Sequence, residues 1–434
     1  MEVIIVACSI IFAGILYLKD RDFMNPGTIF SVYWGLIVFL AALQLYGLSE
    51  TSQEAYFMIF LGILFYFFGS LFGCNVHIKF GRSVFIGKNI SSRYKYNINY
   101  KFFQIAACVV IIYSLYRISI IVRLLVEGNS WWAIRLMGTS GEGGIGTLKG
   151  GNLSDIIYSF IVSPIEYLIV PTVVVDMFVG KRRKDILILG VLATICYSIS
   201  TVSRAVYAFA IIYVIVVCIL VRKSFVLTKK QKKLIRMAPI IVLVFFLVIN
   251  QFTKMRNSEA DLLVNAYAYL SGAMPLLSIH LKEAISSTRT YGMLTFYGFL
   301  HPIFFVTNRL HILSYPQAFQ NAKLIKANLE TFISLGPNIS MNAYATLFYD
   351  FYIDFGYFGV ALLSALFGYL CMRSYKYYKR IGDSRSLVLY LLLLQFILFS
   401  MARIYTVLAT RALSFVWLLI MFKKEKNIEQ SKEF

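Results

Sequence analysis

Negative charge is what this chain has least of: 21 Asp and Glu stand against 42 Lys and Arg in 434 residues, and all charged residues together make up 15%. Soluble domains average about 25%, so an extensive hydrated surface is excluded. Histidine is scarcer still, at 4 residues, and none has HExxH-like spacing to another ligand, which leaves no metal site to predict. The 6 cysteines fall within apolar runs (Cys8, Cys108, Cys196, Cys218, Cys371) or at the end of one (Cys74). That leaves the outer loops without a disulfide pair. The chain has no repeated half, which speaks against the folds of transporters built from internal repeats. A literal GxGxxG at Gly141, Gly143 and Gly146 follows no strand and lies in no βαβ unit, so it is not a dinucleotide motif.

What the chain has is apolar length. It is 59% hydrophobic with a mean hydropathy of +0.72. Runs long enough, or nearly so, to cross a ~30 Å hydrocarbon core lie near 2–18, 28–48, 54–73, 102–126, 156–179, 186–202, 205–221, 237–252, 351–372, 386–402 and 409–422. The expectation is an all-α polytopic membrane protein with about 11 transmembrane helices, forming a single integral membrane domain over 1–434. The first run lacks a basic leader and a small-residue cleavage pattern, so it reads as a retained helix.

Two-thirds of the Lys and Arg gather in alternate loops: 19–21, 79–101, 181–184, 222–236, 373–385 and 423–432. Basic loops stay cytoplasmic, so the amino terminus is expected outside and the carboxy terminus inside. The net charge of +21 then lies on the inner face, where it marks topology and contact with anionic lipid, and excludes a nucleic-acid partner. The outward parts are 127–155, the turn at Ser203 and Arg204, the stretch 253–344, and the turn 403–409. The stretch 253–344 is the one long departure from spanning sequence, a large outer loop region whose apolar pieces are too short to cross. It reads as short interfacial and re-entrant helices.

Several residues on that side suit recognition of a phosphorylated lipid. Arg204 lies in a hairpin turn at membrane depth, and Arg256 follows the eighth run by four residues. Arginine offers planar, bidentate phosphate contacts, although snorkelling anchors explain both positions too. Arg403 and Arg411 flank the last outer turn and are further candidates. Arg117 lies ~13 Å below the outer end of its helix, too deep to snorkel as Arg123 can; it faces either a polar cavity or an ion-pair partner such as Glu166. Pro164 and Pro171 are expected to kink the helix that carries Glu166. Trp131 and Trp132 precede a glycine-rich loop, 138–151, suited to flap over a sugar, or they anchor in the aromatic belt. His280, His301 and His311 are possible general bases, with His301, before Pro302, ahead. Asp350 and Asp354 are expected just before a helix, at its positive end, with Gly356 and Gly359 permitting close helix packing.

The run Asn342 to Thr346 (NAYAT), followed by Asp354 to Gly359 (DFGYFG) opening a helix, resembles the signature of the Wzy-type oligosaccharide repeat-unit polymerases of O-antigen and capsule biosynthesis. Ser203-Arg204, the Gln251–Arg256 segment, and a large outer loop late in the chain are similar to that family's order of parts. The resemblance implies a metal-independent glycosyltransferase without cofactors in the bacterial inner membrane, its active face outward. It would transfer the growing undecaprenyl-diphosphate-linked glycan onto the non-reducing sugar of an incoming undecaprenyl-diphosphate-linked repeat unit. Arg204 and Arg256 would stabilise the leaving diphosphate, and His301, Asp350 or Asp354 would accept the acceptor proton. Arg117, Arg403, Arg411, Trp131, Trp132 and Asn342 would bind substrate. A chain-length regulator and a flippase are the implied protein partners. The alternatives are a lipid-linked oligosaccharide flippase, a glycosyltransferase using polyprenyl-monophosphate sugars, which the short first outer loop (49–53) disfavours, and an O-antigen ligase.

Overall fold

The computed structural model describes residues 1–75, 94–131, 133–135, 152–224, 237, 239, 240, 243, 262–283, 289–337 and 339–426. Along the chain run α1 (Glu2–Asp20), α2 (Pro26–Ala42), α3 (Gln53–Asn75), β1 (Tyr94–Ile98), α4 (Tyr100–Val126), α5 (Asn152–Ile157), α6 (Ser163–Phe178), α7 (Lys184–Thr201) and α8 (Ala205–Ser224). Then come α9 (Leu262–Ser271), α10 (Ala273–Glu283), α11 (Tyr297–Arg309), α12 (Gln317–Asn328), β2 (Ile333–Gly336), β3 (Ile339–Met341), α13 (Leu347–Ile381), α14 (Ser384–Leu398), α15 (Ala409–Ala412), α16 (Ser414–Met421) and β4 (Phe422–Lys426).

Among the described residues, six helices are long and apolar enough to span a membrane: Glu2–Asp20, Gln53–Cys74, Tyr100–Val126, Leu153–Phe178, Lys184–Thr201 and Leu347–Ile381. Four shorter apolar helices, Pro26–Ala42, Ala205–Val221, Ser384–Leu398 and Ala409–Met421, fall on four further runs. The expected eleven therefore become six of full length and four short ones. The run 237–252 lies almost wholly outside the described residues. Helix dominates, and the departures from an all-α reading are two small antiparallel ladders, β1–β4 and β2–β3.

The chain divides into two compact units. Unit 1 comprises 1–92, 261–381 and 393–408. At its centre α3 lies along α13 with almost no side-chain layer between them. A Cβ on Gly69 would overlap the carbonyl of Ala365, and one on Gly368 the carbonyl of Tyr66. Gly62 seats the ring of Phe348 in the same way. Lipid provides little hydrophobic drive between helices, so small residues that let backbones touch supply the packing energy. Around this seam Phe30 stacks on Tyr66 at 3.7 Å, and Trp34 meets Phe348 at 4.8 Å. The start of α2 is set by Asn25, whose side chain accepts from Gly27 N at 2.8 Å ahead of Pro26 at the first position.

At one end of unit 1, Asp22 accepts from Tyr375 Oη at 2.7 Å and pairs with Lys379 at 3.0 Å, and Asp20 pairs with Lys376. These residues belong to the segments 19–25 and 373–385, which the charge pattern assigns to one side. The loop after α2 carries the short helices instead. Ser49 N donates to Leu335 O at 2.7 Å, Ser52 N to Ser278 Oγ at 2.9 Å, and Tyr267 Oη to Leu40 O at 2.8 Å. Helices α9 to α12 have 10 to 13 residues each, too short to span, as the sequence leads one to expect. The start of α11 is pressed onto the 404–408 turn, where a Cβ on Gly298 would overlap the carbonyls of Thr406 and Leu408.

Unit 2 comprises 93–260, 382–392 and 409–434. Here α4 packs on α7, and α6 packs on α7 and α8, with Gly190 admitting Val173 of α6. One end gathers the basic loops. Asp176 accepts from Tyr100 Oη at 2.7 Å and from the backbone of Lys181 and Arg183 at 3.1 and 3.0 Å. Tyr96 N donates to Asp383 at 3.1 Å, and β1 pairs with β4 from Tyr94↔Lys426 to Ile98↔Phe422. The described parts of these segments within unit 2, 94–101, 181–184, 382–385 and 423–426, thus share one end of it. Burial of Asp176 and Asp383 is offset by these donors.

Candidate functional site

In unit 1, α13 begins at Leu347, four residues earlier than expected, so Asp350 and Asp354 lie inside its first turns and not ahead of it. The helix breaks at Phe355 and Gly356, where Gly356 takes φ +67°, a conformation glycine adopts at no steric cost. The break releases three carbonyls, and the segment before α11 takes them up. Arg289 Nη1 donates to Tyr352 O at 2.6 Å, Thr290 N to Ile353 O and Tyr291 N to Asp354 O, both at 3.3 Å. The Asp354 carboxylate answers from the other side. Its Oδ1 accepts Thr290 Oγ1 at 2.5 Å, Gly292 N at 2.9 Å and Leu294 N at 3.2 Å, and its Oδ2 accepts Thr295 N at 2.8 Å. With those four donors on a fully buried carboxylate, Asp354 has the geometry of a clamp. Gly356 and Gly359 serve this break, Gly359 by admitting the Phe351 carbonyl; close packing between helices falls to Gly62, Gly69 and Gly368.

Asp350 differs. Its Oδ2 accepts Ile404 N at 2.9 Å, but Oδ1 is buried without a donor. The next residue back, Arg403, is 4% exposed, and its Nε and Nη2 have no acceptor among the described residues. The field of Arg403 acts on both Asp350 and His280. His280, on α10, sits 5.7 Å from the Tyr349 ring, with Nδ1 3.7 Å from Glu283 and Nε2 buried without a partner. Burial holds its pKa below the ordinary histidine value; Glu283 opposes that and Arg403 adds to it. Buried polar atoms are nearly always partnered, so four open ones on three neighbouring ionisable side chains define the first candidate site.

The backbone beside it is strained. Within the 342–346 run, Ala343 and Thr346 have φ +58° and +73°, and Thr346 is β-branched. The 398–404 segment holds them there: Thr346 N donates to Ala402 O at 2.9 Å, Leu347 N to Ser400 O at 2.8 Å, and Trp34 Nε1 to Ser400 Oγ at 2.9 Å. Asn342 is half-buried, and its Nδ2 donates to Glu330 O at 2.9 Å, closing the loop ahead of β2. His301 is stacked on Tyr297 at 5.3 Å and faces Phe319 at 6.3 Å. Burial first, then Lys326 and Lys323, pull its pKa down to about 4, so it is neutral at pH 7. His311 is exposed.

Unit 2 holds the second candidate site. No ion pair joins Arg117 to Glu166 among the described residues. The Arg117 guanidinium instead lies over the Tyr158 ring, 4.7 Å from its centroid, with Nε buried and without an acceptor. Tyr158 opens a π-helical turn, Tyr158–Val162, and this is the irregularity of the helix: Pro164 sits in the first turn of α6, and Pro171 is accommodated inside it. Tyr158 stacks on Tyr197 at 6.3 Å, Tyr167 meets Tyr197 edge-on at 6.5 Å, and Arg411 lies 3.0 Å from the Tyr167 centroid. Two arginines chosen separately from the sequence thus end one row of tyrosines. Arg204 sits half-buried after the αL residue Val202. Trp131 packs on Ile121, Leu124, Ile134 and Val202. Arg403 falls in unit 1 and Arg411 in unit 2. Arg256, Trp132 and the 138–151 loop lie outside the described residues.

Sequence reasoning missed Arg289, Thr290 and the tyrosine row. The first two meet residues more than sixty positions away, and nothing distinguishes three tyrosines among 30. No group of three or more His, Cys, Asp or Glu placed to hold a metal occurs among the described residues. Comparison of the chain with protein-family models, with curated proteins and with solved structures gives no match.

Proposed function

We propose that the protein is a metal-independent polymerase of lipid-linked oligosaccharide repeat units, inserted in a bacterial inner membrane through about 11 spans with its amino terminus outside. One observation carries the reading. The buried guanidinium of Arg403, with two nitrogens lacking an acceptor, stands beside Asp350 and His280 at the head of the helix bearing DFGYFG. An enclosed arginine with two nitrogens still open to an acceptor suits a diphosphate, whose charge grows as it leaves.

The reaction follows from those groups. The acceptor sugar's hydroxyl oxygen bonds to C1 of the donor glycan's reducing-end sugar. The C1–O bond to the diphosphate breaks, and its electron pair departs with the undecaprenyl diphosphate, held by Arg403. The hydroxyl proton passes to an open acceptor. Asp350 Oδ1 is one; His280 Nε2 is the other, with its ring proton on the Nδ1 that faces Glu283. Asp354 and Thr290 hold the frame and touch no substrate. Arg204, which falls in unit 2, and Arg256 are proposed as ligands of a lipid diphosphate in their own right.

The test is a gel of surface glycan from the source bacterium without this gene, complemented with wild type or Arg403→Ala. Wild type alone restoring a ladder, with the variant stopping at one repeat unit, supports the reading. Loss of even that single unit in the gene's absence points to flipping or ligation instead.

A further inference from the structure

Arg117 lies in the middle of a 27-residue spanning helix and is 6% exposed. It donates no hydrogen bond to any described residue, and its guanidinium lies over the Tyr158 ring, 4.7 Å from the centroid. A cation enclosed at such depth costs several kcal/mol, of which a ring face returns about 2 kcal/mol. The deficit calls for an anion.

The surroundings are built to receive one. Tyr158 Oη and Tyr197 Oη are 3.2 Å apart, and Ser163 Oγ lies 2.7 Å from Tyr197 Oη, so three hydroxyls are linked beside the guanidinium. Two of their three protons close these bonds, and the third can turn toward an oxyanion. The ring of Tyr113, one turn before Arg117 on α4, stacks on Tyr158 at 6.1 Å and closes another side. The π-helical turn that presents Tyr158 is a helix irregularity frequent at functional sites. Glu166, fully buried and one turn from Val162, makes no ion pair with Arg117 among the described residues.

We infer that Arg117, with the hydroxyls of Tyr158, Tyr197 and Ser163, forms a second oxyanion site, in unit 2, that takes the phosphate head of a polyprenyl-linked substrate. The identity of the substrate rests on the function proposed above; the site itself does not. A transfer between two lipid diphosphates needs two such sites, and unit 1 has its own in Arg403.

The full-length protein in nanodiscs, wild type and variants, tests the assignment through native mass spectrometry and calorimetry with two probes, undecaprenyl diphosphate and inorganic pyrophosphate. Arg117→Ala is expected to weaken binding of the lipid about tenfold or more, equivalent to about 1.4 kcal/mol. Tyr197→Phe, which keeps the ring and removes one hydroxyl, should weaken it about threefold. Because Arg117→Ala can fail to fold, Tyr197→Phe and Arg117→Lys carry the test alone if it does; Lys keeps the charge but lacks the planar fork. Equal losses for both probes show that the phosphates are read. Loss for pyrophosphate with lipid binding intact overturns the lipid assignment. Binding of both probes within twofold of wild type in every variant overturns the site. These measurements do not depend on polymer formation, so a failed glycan gel with Arg117-dependent binding would sink the polymerase reading alone.

Discussion

The two units solve the problem of a buried guanidinium differently. In unit 2, Arg117 and Arg411 lie against tyrosine rings, which soften the charge without neutralising it. In unit 1, Arg403 has an acid and a histidine within its field, yet closes no ion pair with them. A ring face favours any cation and holds it in place, whereas open groups of opposite character are arranged for exchange of charge and protons. Under the proposed function, the contrast gives holding to the tyrosine row and chemistry to the Arg403 cluster.

The sharpest break of that comparison is Arg403→Ala. Polymer should fall by at least about 100-fold with the protein inserted at normal abundance, while binding of undecaprenyl diphosphate at the tyrosine row stays. If Arg117→Ala alone stops polymerisation and Arg403→Ala does not, the two roles are reversed. Asp350→Asn belongs with Arg403: activity should drop about tenfold or more with little change in thermal unfolding in detergent.

Asp354→Asn should behave oppositely. An amide aimed at three backbone N–H groups leaves donors unmet, so unfolding should come about 3 kcal/mol sooner, and activity should fall only as folded protein falls. A normal melting temperature with lost polymer would return Asp354 to catalysis. Gly69→Leu should cost about 3 kcal/mol by forcing α3 from α13, read by size-exclusion profile and melting temperature.

Acid gives the smallest effect. His301 has a folded pKa of about 4 against an ordinary 6.5. The unfolded chain therefore binds the proton first, and stability is lost as pH falls from about 6.5 toward about 4 and is flat above. The loss is no more than about 3 kcal/mol, and His301→Gln should remove much of it. His280 adds in the same direction.

The spanning helices were legible because apolar runs bounded by basic loops state length and side directly. Five of the six long helices fell within a few residues of their expected ends; α13 started early because Leu347–Asp350 continues an apolar pattern that the acid at 350 seemed to close. Arg117, Arg403, Arg411, Asp350 and Asp354 were singled out because charge is rare in such sequence. Their roles were not legible. That Asp354 clamps and Asp350 stays open depends on Thr290 and Ile404, far away in the chain. That Arg117 turns to Tyr158 and not to Glu166 depends on a π turn which periodicity does not reveal.

The contact of α3 with α13 carries a mechanical consequence. Two helices whose backbones touch at Gly69 and Gly368 have no layer of side chains to slide upon, so they move as one rod. Under the proposed function, a growing glycan would then be admitted by motion elsewhere in the unit. The piece of α13 ahead of Gly356, spliced to 289–295, is where the rod ends and a fulcrum begins.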